Sequence, residues 1–240
     1  MRRLVRRFLR LLIRLAFALL ARLEIVGTEN IPSHGPLLVA ANHFHFADPL
    51  AIIRAFPGPM EFIGGAQMPF APRIVRFIPR LWGYHAVHRG TGARDALRGA
   101  EALLQTGGRV GIFPEGGSWA SVLRPARPGL AFLAVRTGAR IVPVGIDGLT
   151  ELLPTLLRAG RAKVTVRIGE PIGPFSADGS GSGRERRVQL DAVGDAVMSK
   201  IAQLIPPARR GRYSADPEVR EAARAAEAYP WDKRSGARPT

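Results

Sequence analysis

The sequence predicts an α/β fold: a single domain with a mostly parallel central sheet flanked by helices, plus an N-terminal amphipathic helix. Short apolar runs that are typical of buried strands alternate along the chain with segments of helical periodicity. The length of 240 residues suits one α/β domain. The apolar fraction of 46% is high enough for a packed core and excludes a disordered chain.

The first predicted element is a helix whose two sides differ in chemistry. Residues 1–22 contain seven arginines and no acidic residue, in a chain whose formal net charge is +16. Six of these arginines fall within an arc of about 140° at 100° per residue. Ile13 and Phe17 interrupt the pattern, because they fall among the arginines. The opposite side is apolar, and its residues are Leu4, Phe8, Leu11, Leu12, Leu15 and Leu19.

We expect residues 1–24 to lie on a membrane surface. Leucine on one side and arginine on the other is typical of helices in the headgroup region, where anionic lipids attract the arginines. The longest uncharged run, Leu15 to Ala21, is far shorter than the roughly 20 residues that cross a bilayer. The predicted location is therefore cytoplasmic and peripheral, at the inner face of the membrane. The alternative is an ordinary amphipathic helix that docks on the protein's own core.

The sheet domain is expected over residues 25–205. Its first half comprises a strand at 37–41, a helix at 48–56, a short strand at 61–63 and irregular or broken helix at 68–80. The first strand is a continuous apolar run, Leu-Leu-Val-Ala-Ala. Asp48 and Pro49 begin the helix, since aspartate suits an N-cap and proline the first helical position. Three prolines between Met68 and Arg80 disfavour a regular helix there.

The second half of the sheet domain alternates helices with strands. It comprises a helix at 92–105, a strand at 109–113, a helix at 128–137, strands at 140–146 and 163–168, and a helix at 188–205. Gly107 and Gly108 end the first of these helices, and Pro206 and Pro207 end the last. Residues 206–240 are rich in arginine and alanine, and we expect a polar, partly disordered tail.

A histidine and an aspartate lie where the first strand gives way to a helix. Sites in α/β folds are usually built there, beyond the carboxyl ends of strands. A neutral imidazole can take a proton from a hydroxyl when a carboxylate holds its other nitrogen, and the four residues between His43 and Asp48 allow this. The alternative is that Asp48 only caps its helix and His43 only ends the strand.

Two further segments offer groups suited to a polar or phosphorylated substrate. Residues 113–118, Phe-Pro-Glu-Gly-Gly-Ser, follow a strand and provide a carboxylate, glycine amides and a hydroxyl. Arg89 could grip a phosphate with its bidentate guanidinium. Taken singly, the glycines are explained by a turn and Arg89 by a solvated surface charge.

Together and in this order, these segments resemble the motifs of the glycerolipid (lysophospholipid) acyltransferase family, whose best-known members are 1-acylglycerol-3-phosphate acyltransferases. The four motifs are matched by Asn42, His43 and Asp48 (Asn-His-x4-Asp), by Gly83 to Arg89, by Phe113 to Gly116 (Phe-Pro-Glu-Gly), and by Val142, Pro143 and Val144. The resemblance covers roughly residues 25–175, and both spacing and order agree with it.

The resemblance implies a reaction and a role for each residue. His43 would act as general base on an acceptor hydroxyl that attacks an acyl thioester, and Asp48 would orient and support it. The substrate-binding residues would be Arg89, Glu115, Gly116, Gly117 and Ser118, and the acyl-donor side would include Val142, Pro143 and Val144. The partners would be a lysophospholipid-type acceptor and anionic membrane lipids. No cofactor and no metal are expected. Acyl-CoA or an acyl-carrier protein would serve as co-substrate.

The sequence departs from the family's pattern after Phe-Pro-Glu-Gly. The family usually continues with Thr-Arg-Ser, whereas Gly117, Ser118 and Trp119 follow here, so one phosphate-binding cation is missing. Arg124 and Arg127 are candidate replacements. A lipid-linked sugar is therefore an alternative acceptor.

Other classes of function fit the sequence less well. The chain has no cysteine, which excludes thiolate ligands and nucleophiles. The histidines match no metal-binding spacing. Gly116 to Ala120 is one residue short of the Gly-x-Ser-x-Gly elbow of serine hydrolases. A basic nucleic-acid-binding protein is the alternative outside acyl transfer, but only 7% of residues are aromatic and no recognised module is present.

Overall fold

A computed structural model describes residues 2–65, 71–72, 76–87, 93–176 and 182–228 of the chain. The strands are β1 (Ala21–Val26), β2 (Leu37–Ala41), β3 (Glu61–Gly65), β4 (Tyr84–Val87), β5 (Arg109–Ile112), β6 (Arg140–Asp147) and β7 (Ala162–Ile168). The helices are α1 (Arg2–Leu20), α2 (Asp48–Ala55), α3 (Ile78–Trp82), α4 (Ala93–Gln105), α5 (Gly129–Thr137), α6 (Leu152–Leu157), α7 (Gly183–Leu204) and α8 (Pro217–Glu227). Strands and helices alternate, which confirms the predicted α/β class.

The seven strands form one sheet in the order β1-β7-β6-β2-β5-β3-β4. Neighbouring strands are parallel except β6 and β7, which are antiparallel. The central strand β2 is buried along its whole length, as expected for a continuous apolar run that is covered on both faces. The mostly parallel sheet predicted from the sequence is confirmed.

Helices cover both faces of the sheet and create two cores. Side chains of α1 and α2 pack with Leu37, Val39 and Ala41 of β2. Side chains of α4, α5 and α7 pack on the other face, with Leu38 and Ala40. The two cores arise because successive side chains of a strand point to opposite faces.

Helix α1 docks on the domain through the side that carries its arginines. Leu9, Ile13 and Phe17 are buried in the first core, so the two residues that interrupt the arginine pattern are docking residues. The apolar side faces outward, and its residues Leu4, Phe8, Leu11, Leu12, Leu15 and Leu19 are 44–71% exposed. The helix therefore packs on the protein's own core and also presents an uncovered apolar face. Within the described ranges, no helix is both long and apolar enough to cross a membrane.

Two arginines of α1 are used inside the molecule. Arg6 Nη2 lies 2.7 Å from Glu61 Oε1 at the start of β3. Arg10 Nη1 donates to the Phe56 carbonyl oxygen at 3.1 Å, just beyond the end of α2. Part of the positive charge at the N-terminus therefore holds α1 on the domain.

Helix α1 ends at Leu20, before its predicted boundary at residue 24. The next residues pair with β7 in parallel, from Ala21 opposite Ala162 to Val26 opposite Arg167. If the helix continued through residue 24, backbone N–H and C=O groups of β7 would lack a strand partner. Residues 21–26 therefore form an edge strand instead.

The predicted C-terminal tail is folded as far as residue 228. Short 3-10 turns at Pro207–Arg209 and Gly211–Tyr213 precede α8. The Asp216 side chain accepts from the Glu218 backbone nitrogen and Pro217 occupies the first turn, so α8 has a regular N-terminus. Residues 229–240 lie outside the described part of the chain.

Two other boundaries differ from the expected ones. Helix α7 begins at Gly183, five residues before the predicted start at 188, because Ser182 and Glu185 form a capping box there. Part of the region 68–80 lies outside the described residues, and its end is the single turn of α3, where Pro79 occupies a tolerated first-turn position.

Candidate active site

Two loops meet at the carboxyl edge of the sheet. Strands β2 and β5 are parallel neighbours, with Ala40 opposite Ile112. The loop that follows β2 carries His43, and the loop that follows β5 carries Glu115. Parallel strands end at the same edge, so residues far apart in sequence come together there.

The first group in the site is the pair His43 and Asp48. His43 Nδ1 lies 2.9 Å from Asp48 Oδ2. Because a carboxylate can only accept, the proton of this hydrogen bond is on Nδ1, and Nε2 is left as the proton acceptor. The Asp48 side chain is 2% exposed and the His43 side chain 17% exposed, so the ring is partly open to solvent whereas the carboxylate is enclosed.

The backbone of the same loop fixes the Asp48 carboxylate. Its Oδ2 accepts from the backbone nitrogens of Phe44 and His45, both at 2.8 Å. Asp48 is not the predicted N-cap of α2: the N-cap is Ala47, and the Asp48 side chain turns back toward His43. The reason is that the loop's own N–H groups and the imidazole offer this carboxylate three donors.

Two neighbours set the orientation of His43. The imidazole stacks on the Phe113 ring with 4.2 Å between the ring centroids. Asn42, which precedes it, is fully buried, and its amide exchanges two hydrogen bonds with the Ile146 backbone at 2.8 and 2.7 Å. Asn42 thus ties the end of β2 to β6. The sequence signal for this residue was its place in the Asn-His-x4-Asp motif, but the motif alone did not reveal this role.

The second group is a buried ion pair between Glu115 and Arg124. Glu115 Oε1 accepts from the His43 backbone nitrogen at 2.7 Å, and Oε2 accepts from Arg124 Nε at 2.7 Å. Burial raises the pKa of the Glu115 carboxyl, whereas Arg124 and the His43 N–H oppose that rise. This carboxylate therefore faces into the protein and holds the His43 backbone.

Arg124 joins the two loops. Its Nη2 donates to the His43 carbonyl oxygen at 3.1 Å and to the Gly117 carbonyl oxygen at 2.6 Å. Its guanidinium carbon lies 3.8 Å from the centroid of a Trp119 ring. With its side chain 1% exposed, Arg124 is enclosed in the protein, which disfavours it as the replacement for the missing phosphate-binding cation. Sequence reasoning missed its bridging role, because a separation of nine residues from Glu115 follows no periodic pattern.

The other residues of this loop lie nearer the surface. Gly116 is exposed and has a φ of 81°, a left-handed conformation that favours glycine. Gly117 and Ser118 are half-buried. Arg127 is exposed, and its backbone nitrogen donates to the Pro114 carbonyl oxygen at 2.7 Å, which places this cation beside the loop.

Among the described residues, Ser118 has no histidine partner of the kind that a serine nucleophile requires. In the part of the chain that the structure describes, no histidine forms a hydrogen bond with its hydroxyl, and His43 is bonded to Asp48. A hydrolase of this kind needs a base within hydrogen-bond reach of the serine. The geometry therefore disfavours the serine-hydrolase alternative.

The residues predicted for the acyl-donor side lie in β6 beside the strand that leads to His43. Pro143 is opposite Ala40 of β2, and the side chains of Val142 and Val144 are buried in the first core. Arg89 lies outside the described residues, so its predicted substrate contact stays a prediction.

The described ranges contain no group of three or more histidine, cysteine, aspartate or glutamate side chains placed to hold a metal ion. His45, in the same loop as the pair, is engaged by that loop, since the Ala47 backbone nitrogen donates to its Nδ1 at 3.3 Å. Burial lowers the pKa of His45, which favours its neutral form. The arrangement as a whole offers one partly exposed, oriented proton acceptor, His43 Nε2, at the edge of a parallel sheet.

The fold and the site define an α/β protein with an oriented, partly exposed histidine at the carboxyl edge of its sheet. The sequence model described as Acyltransferase matches residues 22–147, more than half of the chain, and the chain belongs to this family. The matched segment runs from β1 to the end of β6 and includes His43, Asp48, Glu115 and Arg124. The family resemblance inferred from the motifs is thereby confirmed.

Several individual proteins are similar to this chain. An uncharacterised protein of Mycobacterium tuberculosis is 32% identical over 159 residues, which cover 60% of this chain and 42% of that protein. A 1-acyl-sn-glycerol-3-phosphate acyltransferase of Borreliella burgdorferi is 28% identical over 126 residues, which cover 51% of this chain and 50% of that protein. The chain thus spans about half or less of the length of these curated relatives.

A solved structure shares the fold over most of both chains. The crystal structure of the 1-acyl-sn-glycerophosphate (LPA) acyltransferase PlsC from Thermotoga maritima is similar with a TM-score of 0.57 and 28% sequence identity. The alignment covers 82% of this chain and 79% of that one.

Proposed function

We propose that this chain transfers a fatty acyl group from an acyl thioester to a hydroxyl of a lysophospholipid or related glycerolipid, with His43 as general base. The observation that carries the proposal is the 2.9 Å hydrogen bond from His43 Nδ1 to the buried Asp48 carboxylate. It leaves Nε2 as a proton acceptor on a partly exposed ring. Family membership and relatives named 1-acyl-sn-glycerol-3-phosphate acyltransferase support this choice of reaction.

In the proposed reaction, His43 accepts one proton from the acceptor and later gives it to the leaving group. His43 Nε2 takes the proton of the acceptor hydroxyl while that oxygen attacks the thioester carbonyl. The Asp48 carboxylate stabilises the imidazolium that forms, as a buried anion 2.9 Å from Nδ1. The tetrahedral intermediate then expels the thiolate, which recovers the proton from the imidazolium. The products are an ester and a free thiol, and His43 is regenerated.

The loop after β5 is the proposed acceptor side. Gly116, Gly117 and Ser118 offer backbone amides and a hydroxyl near the surface, and Glu115 supports them from inside through Arg124. Arg89 is the proposed phosphate ligand, and the exposed Arg127 is a second candidate for that role. A lipid-linked sugar is the alternative acceptor, because this loop lacks the family's usual arginine.

The thioester is proposed to come from acyl-CoA or an acyl-carrier protein, with the Val142-Pro143-Val144 segment on the acyl-donor side. The exposed apolar side of α1 supports a peripheral place for the protein on the inner face of a membrane. A helix that lies in the headgroup region of the membrane would keep the enzyme next to acceptors that are themselves lipids.

The decisive experiment is an acyl-transfer assay with labelled acyl-CoA and a panel of lysophospholipids. We expect His43→Ala to lower turnover by about 10²–10⁴-fold, since it removes the general base. His34→Ala is the matched control, because His34 is exposed and, among the described residues, its ring bonds only to Ser33 in its own turn. Near-normal turnover in a folded His43→Ala protein would refute the assignment of the base.

A further inference from the structure

A basic cavity lies away from the His43 site, between the last turn of α1, the start of β1 and the start of β7. Its volume is about 760 Å³. Five cationic side chains and one acidic side chain line it: Arg14, Arg22, Arg54, Arg161, Lys163 and Glu24. His43, Asp48, Glu115 and Arg124 are not among its lining residues.

Two of the five cations already have partners. Arg161 Nη2 donates to the Ala21 carbonyl oxygen at 2.6 Å and so fixes the junction between α1 and β1. Lys163 Nζ lies 3.2 Å from Glu24 Oε2, which uses the only acidic side chain in the cavity wall. Arg14, Arg22 and Arg54 form no hydrogen bond or ion pair with any residue that the structure describes. The cavity therefore has a surplus of positive charge.

The sheet places two of these cations side by side. Arg22 of β1 and Lys163 of β7 are register partners on neighbouring parallel strands. Because Lys163 is paired with Glu24, the charge without a counter-ion here is that of Arg22, and a bound anion would neutralise it. Guanidinium groups bind phosphate with parallel N–H donors, so phosphate is the anion that suits three unpaired arginines best.

The cavity also borders the exposed apolar side of α1. At 100° per residue, Arg14 lies on the flank between the buried Phe17 and the exposed Leu11 and Leu15. When an apolar face of this kind enters the acyl region of a membrane, its flanking arginines lie at headgroup depth. The cavity mouth would then open where lipid phosphates are located.

We propose that this cavity binds the phosphate headgroup of an anionic membrane lipid, as a site separate from His43. The inference rests on the proposed peripheral place of the protein on a membrane. It adds a discrete ligand site on β1, β7 and α2 to the general attraction expected from the arginines of α1. The site would hold the carboxyl edge of the sheet in a defined orientation to the lipid surface.

The test compares two double variants with equal loss of charge. Arg22→Gln/Arg54→Gln removes two unpaired cations of the cavity. Arg184→Gln/Arg187→Gln removes two exposed cations of α7 that do not line the cavity. Co-sedimentation with phosphatidylcholine vesicles, with and without phosphatidylglycerol, measures the affinity. We expect the cavity variant to bind anionic vesicles about tenfold more weakly, and the α7 variant to change by about twofold or less.

Equal losses in the two variants, or no loss in either, would overturn the proposal, because binding would then follow net charge or another surface. Inorganic phosphate separates a lipid source from a soluble one. If phosphate stabilises the wild type against heat but not the cavity variant, and vesicle binding is the same in both, the site takes free phosphate and the lipid assignment is wrong. Unchanged melting temperatures without ligand would show that both double variants are folded.

The acyl-transfer assay with a water-soluble, short-chain acceptor distinguishes this proposal from the proposed function. We expect the cavity variant to retain wild-type turnover there, and His43→Ala to bind vesicles like the wild type. Loss of turnover in the cavity variant would place these arginines in acceptor binding and overturn a separate site. If the wild type transfers no acyl group but the variants still differ on vesicles, the proposed function fails and the headgroup site stands.

Discussion

Arg124 is a single side chain on which both loops of the site depend. It neutralises Glu115 and donates to carbonyl groups of His43 and Gly117. Replacing it with leucine leaves a buried carboxylate without a cation, which costs about 3–5 kcal/mol of stability. We expect R124L to lower the free energy of unfolding by this amount and to reduce acyl transfer, because the His43 carbonyl oxygen loses its hydrogen-bond donor.

The stability of the same variant should fall as the pH rises. Burial raises the pKa of the Glu115 carboxyl, and Arg124 opposes this rise in the wild type. Without Arg124, the folded state holds a proton that the unfolded chain releases above its ordinary pKa of about 4.3, so the variant loses stability as the pH rises. Urea unfolding at about pH 5 and about pH 8 should show a larger deficit at the higher pH.

Glu115→Gln in the R124L background is the control for this prediction. It removes the buried charge at nearly constant shape, so part of the stability should return and the pH dependence should disappear. A deficit of R124L that is equal at both pH values would contradict the buried-charge explanation.

At the residue scale, the sequence predicted which residues belong to the site more reliably than which way their side chains face. The spacing of His43 and Asp48 predicted a contact that the structure shows as a hydrogen bond. Glu115 was placed on the substrate side, yet it faces inward. The direction of the Glu115 side chain depends on Arg124 and on the Trp119 ring that covers the Arg124 guanidinium. The indole nitrogen of Trp119 in turn donates to the Ala226 carbonyl oxygen at 3.2 Å. A contact over 107 residues leaves no local pattern in the sequence.

At the scale of elements, α1 has two apolar faces with different roles. Ile13 and Phe17 are 7% and 8% exposed and pack in the core, whereas Leu11 and Leu15 are exposed. We expect Ile13→Ala to lower the free energy of unfolding by about 2–5 kcal/mol, because the helix interface relaxes only partly around the cavity that the substitution leaves. Leu11→Asp/Leu15→Asp should leave the melting temperature near that of the wild type but weaken vesicle binding strongly.

Thermal unfolding and vesicle co-sedimentation of the two variants test this division. Ile13→Ala serves as the control for Leu11→Asp/Leu15→Asp, since it changes the other face of the same helix. The division would be wrong if the Leu11/Leu15 variant unfolded at a lower temperature than Ile13→Ala while binding vesicles like the wild type.

Element boundaries were predicted well in the interior of the sheet and less well at its edges. The apolar run of β2 is unambiguous because both faces of this strand are covered. Residues 21–24 were predicted to belong to the N-terminal helix, but they form part of β1. Their strand conformation depends on pairing with β7, whose residues follow about 140 positions later in the chain.

At the scale of the whole molecule, the alternation of strands and helices was sufficient to predict the fold class, but not the path of the C-terminal segment. That segment returns to the loop that carries Arg124. The Leu123 backbone nitrogen donates to the Arg209 carbonyl oxygen at 2.9 Å, and the Arg209 side chain lies 3.0 Å from Asp147 at the end of β6. The polar composition of this segment predicted a partly disordered tail. The prediction missed the folded part, because composition does not show which backbone groups form hydrogen bonds with distant residues.

This contact between the C-terminal segment and the site can be tested at one glycine. Gly211 has a φ of 52°, and a Cβ built on it would lie 2.1 Å from the Leu123 carbonyl oxygen. Gly35 has a φ of 88° but nothing within 4 Å of such a Cβ. Alanine at Gly35 therefore incurs only the cost of the left-handed conformation, about 1 kcal/mol. Alanine at Gly211 must also push the segment away from the residue that precedes Arg124.

We expect Gly211→Ala to lower the melting temperature more than Gly35→Ala does, and to reduce acyl transfer at a temperature where both variants are folded. The reduction follows because Leu123 and Arg124 share one stretch of backbone, so moving the first disturbs the hydrogen bonds that the second makes to the His43 loop. Gly35→Ala should keep wild-type turnover. Equal melting temperatures and equal turnover in the two variants would show that the C-terminal segment packs on the domain without supporting its active site.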